Sequence, residues 1–116
     1  MNGLPVVLSQ RVDAACSELE LGIEAGNPWF EGHFPGQPIL PGVVQIGWAV
    51  HFANALHGLG PAVANLEQIK FKRPIFPGTR LTLQLTPSAD GKKLRYEYRD
   101  ADSVYSSGTL DFRATA

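Results

Sequence analysis

Trp29-Phe30-Glu31-Gly32-His33-Phe34-Pro35-Gly36-Gln37-Pro38-Ile39-Leu40-Pro41-Gly42 runs without a break into Val43-Val44-Gln45-Ile46-Gly47-Trp48-Ala49-Val50-His51-Phe52-Ala53-Asn54-Ala55-Leu56-His57. In the first half Pro35, Pro38 and Pro41 stiffen a loop, Gly32, Gly36 and Gly42 let backbone come close to a ligand, and His33 is held among them. In the second half Val43, Val44, Ile46, Trp48, Ala49, Val50, Phe52, Ala53, Ala55 and Leu56 surround a helical axis instead of lining one stripe. A helix apolar on nearly every side is a buried one. Pro41 suits the first turn, where its missing N–H would have had no partner, and Gly58, Gly60 and Pro61 mark a stop, so the spacing predicts a helix over 42–57.

Upstream, Leu19, Leu21 and Ile23 alternate with Glu18, Glu20 and Glu24, the period of a half-buried strand within 15–23. Downstream the same period runs through Ile69–Lys72, Leu81–Leu85, Leu94–Tyr98 and Val104–Phe112, with turns at Pro77-Gly78, Asp90-Gly91 and 100–103. Residues 1–14 carry no pattern that places them inside or outside the sheet. One buried helix with five or six antiparallel strands makes an α+β fold, a sheet wrapped around the helix as a single domain over 1–116. Such a sheet leaves an edge strand and an apolar rim, so a homodimer or higher even oligomer is expected.

Composition narrows the partners. Ten Lys and Arg stand against eleven Asp and Glu, which gives no long-range field for nucleic acid or an anionic membrane surface. The single cysteine, Cys16, has no internal partner and fits a reducing cytoplasm. Met1–Leu8 lacks a basic leader, and no run approaches the roughly 18 to 20 apolar residues of a spanning helix, so neither export nor membrane insertion is expected. No His, Cys, Asp and Glu set has metal-ligand spacing, and no glycine-rich loop joins a strand to a helix as a nucleotide site requires. Neither metal nor other cofactor is expected.

Gly32-His33-Phe34-Pro35-Gly36, with Pro38 and then Pro41-Gly42-Val43, resembles the active-site signature of the β-hydroxyacyl-acyl-carrier-protein dehydratases. Phe71-Lys72-Arg73-Pro74-Ile75-Phe76-Pro77-Gly78-Thr79-Arg80-Leu81 resembles the family's strand-turn-strand after its helix. The resemblance covers 29–85 and implies the hot-dog fold, a central helix wrapped by an antiparallel sheet. Val43-Val44-Gln45-Ile46-Gly47-Trp48-Ala49 is most similar to the small dehydratase-like proteins of aryl-polyene clusters. What this implies is dehydration of a 3-hydroxyacyl thioester, on acyl-carrier protein or coenzyme A, to the trans-2-enoyl thioester.

That reaction needs a base for the Cα proton, an acid for the departing hydroxyl and dipoles at the carbonyl oxygen. Histidine titrates in the right range, and the resemblance gives His33 the principal acid/base role. Gly42 opens the helix, so its N–H and that of Val43 lack intrahelical partners at the positive end of the dipole and suit a thioester carbonyl. Phe34 and other nearby aromatics are candidates to line the acyl chain, although aromatics beside a buried helix are mostly core.

The chain departs from the family six residues past Pro41. There the dehydratases carry an Asp or Glu, and this chain carries Gly47. Glycine inside a helix costs about 1 kcal/mol against alanine, so packing or a ligand wants the space. His51, four residues on, leans back over that turn and is the first candidate for the second acid/base. Glu31 is the second, and Gln45, which exchanges no proton at neutral pH, can only orient substrate or water. Lys70, Lys72 and Arg73 form a short basic run that reads either as a solvated face or as a contact for the carrier. Two other readings stay open: a non-catalytic acyl-thioester-binding subunit of a heterodimer, and a hot-dog thioesterase.

Overall fold

The computed structural model describes residues 3–30, 38–60 and 62–112. Its elements are β1 (Val6–Arg11), β2 (Ser17–Gly22), a 3-10 turn (Pro28–Phe30), α1 (Gly42–His57), β3 (Asn65–Phe71), β4 (Arg80–Pro87), β5 (Lys93–Arg99) and β6 (Val104–Asp111). The strands form one sheet ordered β1-β2-β4-β5-β6-β3, and every neighbouring pair is antiparallel. This is the hot-dog arrangement, α+β, and the first strand takes part in it as one edge while β3 forms the other.

Side-chain alternation decides which face of the sheet meets the helix. Leu19 and Leu21 of β2 point inward, while Glu18 and Glu20 point outward to ion pairs with Arg11 and Arg80. Leu81, Leu83 and Leu85 of β4, Leu94, Tyr96 and Tyr98 of β5 and Leu110 of β6 complete the inner face, and all are buried. Against them α1 lays Val44, Trp48, Ala49, Phe52 and Ala53. Each large side chain so buried contributes about 1.5–3 kcal/mol relative to exposure, which makes this contact the main stabilising layer.

The helix begins and ends as its sequence implies. It stops at Gly58, whose φ of 65° is left-handed and whose N–H donates to Asn54 O at 2.9 Å. Its burial differs from expectation, because only one side is covered. Val43 is 76 % exposed, and Ile46, Gly47, Val50 and His51 are half-buried. Ile46, Val50 and Leu56 pack only partly against the core, and Val43 faces outward among the described residues.

Strand β3 starts at Asn65, four residues before Ile69, because a bulge breaks its alternation. Leu66 pairs with Leu110 and Glu67 with Thr109, but the next pairs are Lys70 with Ser107 and Phe71 with Ser106. Gln68 absorbs the extra residue with φ 53°. On β6, Gly108 lies opposite Tyr96, and a Cβ there would come 2.8 Å from Tyr96 Cε2 and would also run into Ile69 Cδ1. Gly108→Ala is therefore expected to lower stability by roughly 1–3 kcal/mol, read as a lower urea midpoint. An unchanged midpoint would mean that both side chains move aside freely.

Candidate active site

The first turn of α1 presents backbone amides that have no intrahelical partner. Pro41 sits at its cap with φ −60° and ψ 143° and supplies no side-chain capping bond. The N–H groups of Val44 and Gln45 turn back to Pro41 O at 3.1 and 3.2 Å. Those of Gly42 and Val43 have no hydrogen-bond partner among the described residues. No acidic residue stands in the turn to offset the dipole, so among the described residues these two donors at its positive end stay unpaired.

Gln45 fixes this turn to the sheet. Its Nε2 donates to Leu40 O at 3.1 Å, its Oε1 accepts from Ser106 Oγ at 2.6 Å, and its backbone oxygen accepts from Tyr98 Oη at 2.6 Å. Burial, and secondarily the neighbouring Tyr96, pushes the Tyr98 phenol up, which keeps it a hydrogen-bond donor. Leu40 in turn donates its N–H to Ile75 O at 2.8 Å. The helix start is thus tied to β5, β6 and the segment before β4 by buried bonds, a rigid mounting for the free amides. The sequence reading missed Tyr98 and Ser106 here, since alternation marks them only as inward positions.

A cavity of about 360 Å³ opens at this turn, lined by Ile39, Leu40, Gly42, Gln45, Phe71 and Pro74, with Lys72 and Arg73 at its rim. The Phe71 ring rests on Gly42, where a Cβ would meet three ring carbons at 2.7 to 3.1 Å. Glycine permits this close approach, and any larger residue there would have to push the ring aside. Arg73 donates from Nη1 to Ser103 Oγ at 2.7 Å and lies 5.3 Å from the centre of the Tyr105 ring. Tyr105 in turn donates to Asp100, whose carboxyl is held down at about 2 by backbone N–H bonds from Asp102 and Ser103 and by that phenol.

Val43, Gly47 and His51 follow one another at four-residue steps and so share one side of α1, away from the buried layer. His51 is half-buried, stands edge-on to Phe52 with ring centres 5.1 Å apart, and has no hydrogen-bond partner among the described residues. His33, Phe34 and Glu31 lie outside the described residues. Among the described residues no cluster of His, Cys, Asp and Glu is placed to hold a metal ion, and no helix is long and apolar enough to cross a membrane.

Known proteins share this chain's sequence and its fold. A family model described as ApeI-like, ApeI dehydratase, matches residues 9–109. A 3-hydroxyacyl-[acyl-carrier-protein] dehydratase FabZ of Hydrogenobaculum sp. is 32% identical over 85 residues, 59% of this chain, and the match spans 57% of that protein's length. A structure of the dehydratase heterocomplex ApeI:P from Xenorhabdus doucetiae superposes with TM-score 0.84 at 32% identity, over 92% of this chain and 96% of the other. An uncharacterised protein from Erwinia carotovora subsp. atroseptica gives TM-score 0.80 at 37% identity, over 93% and 94%. With the helix-start geometry, the hot-dog sheet and a match running through nearly every element, the chain belongs to the ApeI-like dehydratase family.

Proposed function

We propose that this protein dehydrates 3-hydroxyacyl thioesters, carried on acyl-carrier protein or coenzyme A, to trans-2-enoyl thioesters in the cytoplasm. The observation that carries the reading is the rigidly mounted helix start, where the Gly42 and Val43 amides are unpaired among the described residues and Gly42 lines an apolar cavity. The thioester carbonyl accepts from these N–H groups, which stabilise the charge that develops on oxygen when the Cα proton leaves. His33 takes that proton, and the C3–O bond breaks as His51 delivers a proton to the departing hydroxyl. Water and the enoyl thioester are the products, and solvent returns the two imidazoles to their starting states. A second copy covering the open side of α1 completes the cleft in this reading. The exposed Val43, the partly covered Ile46 and Val50, and the free edge of β3 support that pairing.

A second reading is favoured by a specific observation. Gly47 stands where the resemblance implies a carboxylate, and the similar ApeI:P structure is a heterocomplex. In that reading this chain binds the acyl thioester, and a related partner chain supplies the missing carboxylate. Mass-spectrometric product analysis after incubating the purified chain with a 3-hydroxyacyl thioester separates the readings. Dehydration by the chain alone yields the enoyl thioester. Unchanged substrate, converted only when a partner chain carrying the carboxylate is added, supports the subunit reading. Free acid means hydrolysis and would overturn both.

A further inference from the structure

Phe71 is half exposed yet packs its ring over Gly42, where a Cβ would meet ring carbons at 2.7 to 3.1 Å. Its position depends on the bulge in β3. Side chains directly opposite one another on antiparallel strands share a face. Leu66 lies opposite Leu110, and Leu110 opposite Leu94, so Leu66 is on the helix side. From there an unbroken alternation would turn residue 70 toward the helix and residue 71 away. The extra residue at Gln68 reverses this. Phe71 pairs with Ser106 and Ser106 with Tyr98, whose hydroxyl reaches the helix, while Lys70 pairs with Ser107 on the outer face beside Glu97. Gln68 holds a φ of 53°, which costs free energy for a residue with a side chain, and the result is a phenyl ring rather than an ammonium over the helix start.

We infer that Phe71, aimed inward by the Gln68 bulge, is a specificity-determining wall of the acyl-thioester site that admits a straight acyl segment beside the carbonyl and rejects a branched one. The inference rests on the reading that an acyl thioester binds at the Gly42 and Val43 amides. In this proposal the acyl Cα of a thioester held there lies against the ring that lines the cavity beside Gly42. The ring fills the space over Gly42, where a Cβ would meet ring carbons at 2.7 to 3.1 Å. A methyl branch on Cα therefore has to displace the ring. The same ring excludes water from one side of the amides, which strengthens their hydrogen bonds to the substrate.

The test uses the full chain and two unreactive ligands, butyryl- and 2-methylbutyryl-pantetheine thioesters, with dissociation constants measured by calorimetry for wild type, Phe71→Ala and Phe71→Leu. One extra methyl group in an apolar pocket changes affinity by about 10- to 200-fold, so the wild type is expected to prefer the straight chain by a factor in that range. Phe71→Ala should bring the ratio toward one, with Phe71→Leu between. Because the ring is half exposed, neither variant removes a core contact, and matching far-ultraviolet circular dichroism confirms folding. A wild type that does not discriminate, or a Phe71→Ala ratio equal to that of the wild type, would overturn the inference. Binding with discrimination but without turnover of 3-hydroxyacyl substrates would overturn dehydration and leave Phe71's role standing. Failure to bind either thioester would overturn both.

Discussion

Replacing His33 by alanine is expected to abolish turnover of a 3-hydroxyacyl thioester, a loss at least as large as the 10²- to 10⁴-fold, roughly, that positioned acid/base groups supply. The loop holding His33 is fixed at both ends. Phe30 is buried and donates its N–H to Asn27 O at 3.1 Å, and Leu40 is buried and bonded to Ile75. Pro38 and Pro41 restrict the backbone on the C-terminal side of that segment. Thioester binding should survive the substitution, because the carbonyl is held by backbone amides. Steady-state rates with calorimetry on an unreactive thioester check both halves. Full activity in the variant would remove His33 from the chemistry.

His51→Ala is expected to slow dehydration by about 10²-fold or more, the low end for such a group. Gly47 leaves the turn before it without a side chain, and His51 lies on the same side of α1 with no hydrogen bond among the described residues. An imidazole in that position is open to a substrate hydroxyl. The role as acid has a distinct signature. If His33 still removes the Cα proton while loss of water is slowed, the enolate returns to substrate, and deuterium from heavy water enters Cα faster than enoyl product forms. A purely structural role for His51 would slow exchange and elimination together. An unchanged rate would eliminate His51 as the second group.

Much of the architecture was legible in local pattern. Alternation placed β2, β4, β5 and β6 within a few residues, and Pro41 and Gly58 bounded α1 at the positions the coordinates give. Period-2 reasoning fails where the period itself changes. Leu66 and Ile69 are three apart, which breaks the alternation and hides the first half of β3, and that same irregularity is the bulge that turns Phe71 inward. β1 was not legible because all six of its residues are exposed, so it carries no buried face to read.

The helix start was legible as a chemical element, since a Pro-Gly opening leaves free amides whatever the tertiary fold. Its mounting was not. Gln45, Ser106 and Tyr98 lie up to 61 residues apart in sequence, and only the paired register of β5 and β6 brings them together. Gly42 read as an opening residue, but its contact with Phe71 depends on a strand edge that folds back from beyond the helix.

The reversibility of dehydration offers the most direct test of the central claim. The purified wild-type chain, with no other protein present, is incubated with a trans-2-enoyl thioester in heavy-oxygen water, and the products are located by mass spectrometry. The account predicts a 3-hydroxyacyl thioester labelled at its C3 hydroxyl, formed by wild type and not by His33→Ala. Label in a free carboxylate, or enoyl thioester recovered without label, would contradict it.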